Sequence, residues 1–273
     1  MRDPEMAALR FHKYEGIGND FVVVEASSPQ ALDGASAKRL CDRHFGVGAD
    51  GVLLVTPAAA ANARARMTVI NSDGSLAEMC ANGLRCVALH LACEDEADQC
   101  RYVIETGAGS LGCEVARDGH IAHVQLSLGR ARLVGEHSAT LRAGEYRFRR
   151  ISMGNPHAVH FGAAWSEADV DEFAPKVSES FPEGSNVEFA QIIGRDAIEL
   201  VVWERGVGRT LACGTGAAAT VVAAAVEGYV PFDDEVEVRL PGGPLQIQVA
   251  ADTLAVSLRG PARRVFSGEV YRP

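Results

Sequence analysis

The chain has 273 residues, 47% of them hydrophobic, and a formal net charge of −10. A chain of this length buries about three quarters of the surface its unfolded form exposes, and two domains of moderate size are expected. The acidity excludes nucleic acid and an anionic membrane surface as partners, and the weakly polar run Ala217–Val226 is too short to span a bilayer.

In chain order, Met1–Asp20 scatters charges and has no apolar core of signal-peptide length, so a cytoplasmic location is expected. Strand-like runs, apolar or alternating, cover Leu9–Tyr14 and Phe21–Glu25. A helix is predicted over Ser36–Arg43, then strands over Val52–Thr56 and Arg64–Ile70, with a surface loop at Ala58–Ala63 between them. Gly83–Cys93 reads as a helix and is followed by strands over Arg101–Glu105, Ser110–Ala116 and Ile121–Leu128. The second half repeats the theme. Strands are predicted at Arg147–Ser152, Val187–Ile193 and Ala197–Trp203, and helices at Glu167–Pro175 and Gly214–Glu227. The last strands are Glu235–Leu240, Leu245–Val249, Leu254–Leu258 and Arg264–Tyr271. Many strands and few helices make this an α+β architecture with mostly antiparallel sheets.

The seven cysteines are odd in number, irregularly spaced and without a C-x-x-C pair, which argues against a disulfide framework and a structural zinc site. Two of them stand in matching contexts. Glu78-Met79-Cys80-Ala81-Asn82-Gly83 and Leu211-Ala212-Cys213-Gly214-Thr215-Gly216 each place a cysteine three residues before a glycine, at the start of a predicted helix. Free N–H groups and the positive end of the helix dipole meet there. Such a setting lowers a thiol from about 8.5 into roughly the 3.5–7.5 range and can also hold a carboxylate. One such cysteine reads most simply as a small buried residue. Two, on halves that face each other, suit removal of a proton from one side of an α-carbon and its return to the other, with the carboxylate charge stabilised at the helix ends.

Polar turns accompany these motifs: Gly16–Phe21, Asn71–Gly74, Gly154–His157, Ser185–Glu188 and Glu204–Gly206. Each alone is a turn signal. Together they offer asparagines, an imidazole and Arg205, whose planar fork matches a carboxylate, while Glu204 or His157 can tune a thiol. The only lysines, Lys13, Lys38 and Lys176, lie in no context that suggests a Schiff base, and Gly46–Gly51 lacks the spacing of a dinucleotide fingerprint. No cofactor and no metal are expected.

On Gly16–Phe21, His44–Gly51, Asn71–Cys86, Gly154–His157, Ser185–Glu188 and Trp203–Gly216, the chain resembles the diaminopimelate epimerase family from Phe11 onward. The resemblance implies two pseudo-symmetric α+β domains, each a mostly antiparallel sheet wrapped around a central helix, with the active site in the cleft between them. The domains are expected over 7–128 and 129–263, a last strand over 264–273 returning to the first. It further implies cofactor-independent interconversion of LL- and meso-diaminopimelate in lysine and peptidoglycan precursor biosynthesis, a small-molecule amino-acid substrate and a homodimer. By the resemblance, Cys80 is the proton donor and Cys213 the acceptor in one direction. His157 and Glu204 support the cysteines, and Asn19, Asn71, Asn155, Asn186, Glu204 and Arg205 bind substrate. Ala81, Asn82, Gly214 and Thr215 hold the reacting carboxylate at the helix starts. Ala81 departs from the usual glycine and Gly51 from a glutamine found in some members. The alternatives are a racemase of the same fold acting on histidine or proline and, from another class, a thiol redox or metal-binding protein.

Overall fold

In the computed structural model, residues 8–141 and 144–271 are described. Residue 7 and residues 272–273, at the ends of the expected first domain and last strand, lie outside them. The chain divides into two compact units, Met1–Leu126 with Gly260–Pro273 and Ser127–Arg259.

In the first unit, β1 (Ala8–Gly16) and β2 (Asn19–Glu25) form a hairpin, and α1 (Gly34–Cys41) leads to β3 (Gly51–Thr56), which runs parallel to β2. β4 (Ala65–Asn71) pairs antiparallel with β3, β5 (Leu76–Ala77) folds back on it, and α2 (Ala81–Glu94) leads to β6 (Gln99–Thr106), parallel to β4. The antiparallel strands β7 (Gly109–Asp118) and β8 (Ile121–Arg130) follow.

The second unit carries β9 (Arg132–Leu141) and then the same order again. β10 (Gly144–Ser152) and β11 (Pro156–Phe161) form the hairpin, and α3 (Glu167–Glu179) leads to β12 (Asn186–Gly194), parallel to β11. β13 (Ala197–Glu204) and the short β14 (Gly208–Thr210) precede α4 (Gly214–Val226), which leads to β15 (Glu235–Leu240), parallel to β13. β16 (Gly243–Val249) and the first residues of β17 (Ala255–Tyr271) close the order, and from Gly260 on β17 belongs to the first unit, antiparallel to β1. The fold is α+β, mostly antiparallel, with two parallel crossovers in each unit.

Alternation along the strands explains the layers. Val22, Val24, Val52 and Leu54 face α1 through its Ala37, Leu40 and Cys41. The intervening Leu53 turns to the other face, against the first turn of α2. In the second unit Ala158, Val187 and Phe189 pack on Val170, Phe173, Ala174 and Val177 of α3, while Glu188 turns toward α4. α2 is buried from Ala81 to Ala92, and α4 is buried except at Thr215 and Val226. Helices buried on nearly every side belong in the interior of their sheets, and alanine lets α4 approach the strands closely.

Three departures from the predicted elements have local causes. Pro156–Phe161 is a strand although Asn155-Pro156 reads as a turn, because Pro156 opens the strand and needs no ladder donor there. Arg132–Leu141 is mostly exposed, so it lacks the apolar alternation that marks a strand. The strands expected over Leu254–Leu258 and Arg264–Tyr271 are one continuous strand, since Pro261 interrupts the pattern without breaking the extended backbone. Among the described residues no helix is long and apolar enough to cross a membrane.

Within the first unit His90 of α2 is fully buried, its Nδ1 3.2 Å from Tyr14 Oη and its Nε2 3.1 Å from Glu25 Oε1. Burial foremost, then the charge of His12, pushes its pKa from 6.5 down to about 4. The unfolded chain takes up this proton below 6.5 and the folded chain refuses it, so stability is lost as pH falls from 6.5 toward 4 and the loss then levels off. At the lower end it amounts to on the order of 3 kcal/mol. His90→Gln should flatten this limb in urea unfolding between pH 7 and pH 4.5. A mutant with the full wild-type slope sinks the assignment.

Candidate active site

Both central helices begin on a cysteine. Cys80 has extended backbone (φ −137°, ψ 116°) and its Sγ accepts the Gly83 N–H at 3.4 Å. Cys213 does the same (φ −129°, ψ 109°), accepting from Gly216 at 3.4 Å. The sulfur thus takes the place of an N-cap oxygen. Glycine at the third helical position is dictated by what lies beneath. A Cβ on Gly83 would sit 2.8 Å from Leu53 Cδ2, and one on Gly216 2.9 Å from Glu188 Oε1.

In the first unit the structure brings Asn19 and Asn82 to Cys80. Gly18 (φ 85°) makes the tight turn that places Asn19 at the start of β2. Asn19 Nδ2 donates to Asp50 Oδ2 at 2.7 Å, which turns its Oδ1 toward Asn82 Nδ2 (3.3 Å) and Cys80 Sγ (3.9 Å). Asp50 is held in turn by Arg43 at 2.9 Å. Asn71 ends β4, and its amide donates to Ser75 Oγ at 3.0 Å, inside its own turn and not to the cysteine. Ala81 is the first helical residue and is not among the non-glycine residues with positive φ (Ile17, Glu96, Asp233 and Leu254), so the exchange for glycine causes no backbone strain. A side chain at Gly51 would meet the Ile70 carbonyl oxygen at 2.9 Å, so the close approach of β3 to β4 here requires glycine.

In the second unit a chain of contacts runs beside Cys213. Its Sγ lies 3.6 Å from Thr215 Oγ1, which Asn155 Nδ2 reaches at 3.4 Å, and Asn155 Oδ1 is 3.0 Å from His157 Nε2. His157 Nδ1 is 2.6 Å from Glu188 Oε1, both side chains fully buried. Both ring nitrogens of His157 are therefore engaged, and burial foremost pushes the Glu188 carboxyl up, against the pull of His157. Glu188 Oε2 has no hydrogen-bond partner. Glu204 accepts from Thr210 Oγ1 at 2.6 Å. Asn186 Oδ1 accepts the Arg205 N–H at 2.9 Å, and the exposed Arg205 side chain donates from Nη1 to the Glu183 carbonyl at 2.7 Å. Gly214 is the first residue of α4.

Burial foremost, with Glu204 and Glu188 adding to it, pushes the Cys213 thiol well above its ordinary range, against the Thr215 hydroxyl and the Gly216 N–H. This reverses the expectation of a depressed thiol, because loss of water and two carboxylates outweigh the helix start. The other thiols with resolved shifts are also raised by burial, Cys86 strongly, Cys41 to about 11 and Cys113 to about 12.

Glu188 and Asp50 escape a reading by motif. Asn-Val-Glu and Ala-Asp-Gly look like ordinary strand and turn residues, and only the two-residue alternation of β12 puts a carboxylate on its apolar inner face. A second cluster, His12, Glu25, His90 and Glu94, brings ligand-type atoms within 4.8 Å of one another. Its demands are met internally, since Arg264 Nη2 is 3.0 Å from His12 Nδ1 and both ring nitrogens of His90 have partners.

This fold is shared with solved racemases and epimerases of small amino acids. A hydroxyproline epimerase from Agrobacterium vitis superposes with a TM-score of 0.77 at 16% identity, covering 99% of this chain and 94% of that one. A probable proline racemase from Agrobacterium radiobacter gives 0.75 at 15% identity, covering 96% and 92%. At the level of sequence, the diaminopimelate epimerase family model matches residues 11–134 and 149–265. A diaminopimelate epimerase of Desulforudis audaxviator is 42% identical over 97% of this chain and 100% of that protein, and one of Heliobacterium modesticaldum 40% over 96% and 99%. The chain belongs to the diaminopimelate epimerase family.

Gly216→Ala should force Glu188 or Cys213 to move and cost about 1–3 kcal/mol, as overpacking of a filled core does. Chemical denaturation against wild type measures it. A neutral effect would mean that the start of α4 is looser than its contacts indicate.

Proposed function

We propose that this chain interconverts LL- and meso-diaminopimelate in lysine and peptidoglycan precursor biosynthesis, without an organic cofactor or a metal. The observation that carries the reading is the pair of central helices, each opening on a cysteine whose sulfur accepts the N–H of a glycine three residues on. One cysteine as thiolate takes the α-proton, and the electron pair of the broken C–H bond passes into the substrate carboxylate. The other cysteine, as thiol, delivers its proton to the same carbon. In one direction Cys80 donates and Cys213 accepts; in the other the roles exchange. The free N–H groups at Ala81, Asn82, Gly214 and Thr215 stabilise the charge that develops on the carboxylate.

Asn19, Asn71, Asn155, Asn186, Glu204 and Arg205 are assigned to the substrate, and His157 and Glu204 also support the cysteines. We place the enzyme in the cytoplasm as a homodimer; elution at twice the chain mass would support the second point. Removing a residue that transfers a proton typically costs 10²–10⁴-fold or more. Cys80→Ala and Cys213→Ala should each abolish turnover in an assay of LL-diaminopimelate without added cofactor, whereas Cys113→Ala should retain it. Near-normal turnover in either active-site mutant rules out two-cysteine chemistry.

Specificity is assigned to Arg205 with Asn71, Asn155 and Asn186, holding the distal amino-acid group. Arg205→Lys keeps the charge but loses the fork. Loss of such a contact costs about 1.5–3 kcal/mol, roughly ten- to more than a hundredfold in kcat/KM. Wild type and mutant are compared on diaminopimelate, histidine and proline. Faster racemisation of proline or histidine by the wild type would overturn the substrate assignment and leave the two-cysteine chemistry in place.

A further inference from the structure

The second unit holds a polar pair where the first has hydrocarbon. Gly18-Asn19 and Gly154-Asn155 both turn through a positive-φ glycine, and counting from the asparagines sets Phe21 against His157. The parallel registers Phe21↔Gly51 and His157↔Asn186 then set Leu53 against Glu188 and Asp50 against Ser185. Leu53 lies under Gly83 as Glu188 lies under Gly216, so the two pairs fill the same place beneath the two helix starts. The first unit shows that this backbone closes over phenylalanine and leucine. A fully buried carboxylate beside an imidazole is the costlier filling, and the fold alone does not account for it.

The contacts of the pair supply a reason. In the first unit a carboxylate anchors the hairpin asparagine directly, Asn19 Nδ2 donating to Asp50 Oδ2 at 2.7 Å. Ser185, at the position of Asp50, turns to its own chain: its N–H donates to Ser178 Oγ at 3.0 Å and its hydroxyl to the Asn186 carbonyl at 2.8 Å. Asn155 is anchored from beneath instead. Its Oδ1 lies 3.0 Å from His157 Nε2, and His157 Nδ1 lies 2.6 Å from Glu188 Oε1. The other end of the amide is 3.4 Å from Thr215 Oγ1, and that hydroxyl is 3.6 Å from Cys213 Sγ. An unbroken chain of polar contacts thus joins Glu188 to the sulfur. Glu188 Oε2 has no hydrogen-bond partner, so His157 is the side chain this carboxylate holds. The two ends of the chain are also close in space. The point where a Cβ on Gly216 would stand is 2.9 Å from Glu188 Oε1 and 3.3 Å from Cys213 Sγ.

We propose that Glu188 is a positioning residue of the active site, which through His157 fixes the Asn155 amide and the Thr215 hydroxyl against Cys213. This rests on the two-cysteine reading above and adds a residue that acts through others. A ring bonded at both nitrogens keeps one orientation and one tautomer. With an apolar residue in place of Glu188, Nδ1 has no partner, the ring is free to turn, and Asn155 and Thr215 lose the bond that aligns them.

The test is kcat on diaminopimelate for Glu188→Leu, Glu188→Gln, His157→Phe and the double variant His157→Phe with Glu188→Leu, each beside its unfolding midpoint. Glu188→Leu should lose about a hundredfold in kcat, the cost of misplacing groups at the reacting atoms. Glu188→Gln keeps an oxygen for Nδ1 and should stay within about tenfold of wild type. The double variant copies the first unit's pair. It should be no slower than the slower single variant, since residues that act as a unit do not add. It should also unfold no earlier than Glu188→Gln, whose amide nitrogen is left buried without a partner. A kcat order that follows the order of stability, a wild-type kcat in Glu188→Leu, or a Glu188→Gln as slow as Glu188→Leu overturns the proposal.

A second measurement needs neither substrate nor a Glu188 variant. NMR of the full chain with isotope-labelled histidine should show a His157 ring proton protected from water, identified by its loss in His157→Phe. Thr215→Val, at the far end of the chain of contacts, should shift the His157 Nε2 signal. A His157 ring that exchanges freely, or one unaffected by Thr215→Val, overturns the proposal even where Glu188→Leu does not fold. A wild-type chain that leaves diaminopimelate untouched while both His157 signatures hold would refute the substrate assignment and leave the positioning role standing.

Discussion

A helix that starts inside its own sheet must satisfy its first N–H groups without help from water, and the arrangement around each cysteine follows from that requirement. α2 and α4 are buried from their first residue. Orphan donors in such a place cost about as much as lost hydrogen bonds. A cysteine sulfur at the cap answers one of them and leaves the remaining N–H groups of the first turn for a ligand. The third helical residue then has to be glycine, because a side chain of the neighbouring strand fills the space a Cβ would need. Asparagine at the head of the adjacent hairpin follows from the same crowding. Delivered by a positive-φ glycine, it lies beside the cap and bonds the polar side chain of the second helical residue, Asn82 in one unit and Thr215 in the other.

The repeated backbone and the unrepeated charge answer different needs. The backbone provides two equivalent donor sets at a helix start, which suits a carboxylate. Proton transfer needs two sulfurs in opposite protonation states, and identical surroundings would leave that choice unmade. Replacing Leu53 and Phe21 by Glu188 and His157 beneath the second helix places ionisable groups where the first unit has only hydrocarbon. The buried His157–Glu188 pair is tolerated because its two members are bonded to each other at 2.6 Å. Glu204 lies at the strand end, where Thr210 bonds it.

The sequence made the order of elements and the two cysteine motifs legible because both are local. Apolar alternation along β2, β3 and β12 and the apolar run of α4 fall within windows of a dozen residues. Leu254–Tyr271 was split at Pro261 because proline reads as a break in a pattern, whereas a long strand absorbs it. At the site, Asn19, Asn82, Asn155 and Thr215 stand where the motifs suggest, within contact range of their own cysteine or of its helix start. Asn71 bonds its own turn instead. Glu188 and Asp50 were not legible beside the cysteines. Their place depends on strand register and on which side chains remain unpaired after folding, and neither is written in a short motif. The ionisation of Cys213 was misjudged for the same reason: the helix start is visible in sequence, but the depth of burial that outweighs it is not.

A thiol raised by burial is a poor source of thiolate, yet the thiolate it forms is the stronger base. The α-hydrogen of an amino acid is a very weak acid, so a base of raised pKa faces a smaller uphill step in taking it. In the proposed chemistry Cys213 is therefore a reluctant but capable acceptor: the burial that withholds its thiolate also makes that thiolate the stronger base once it forms.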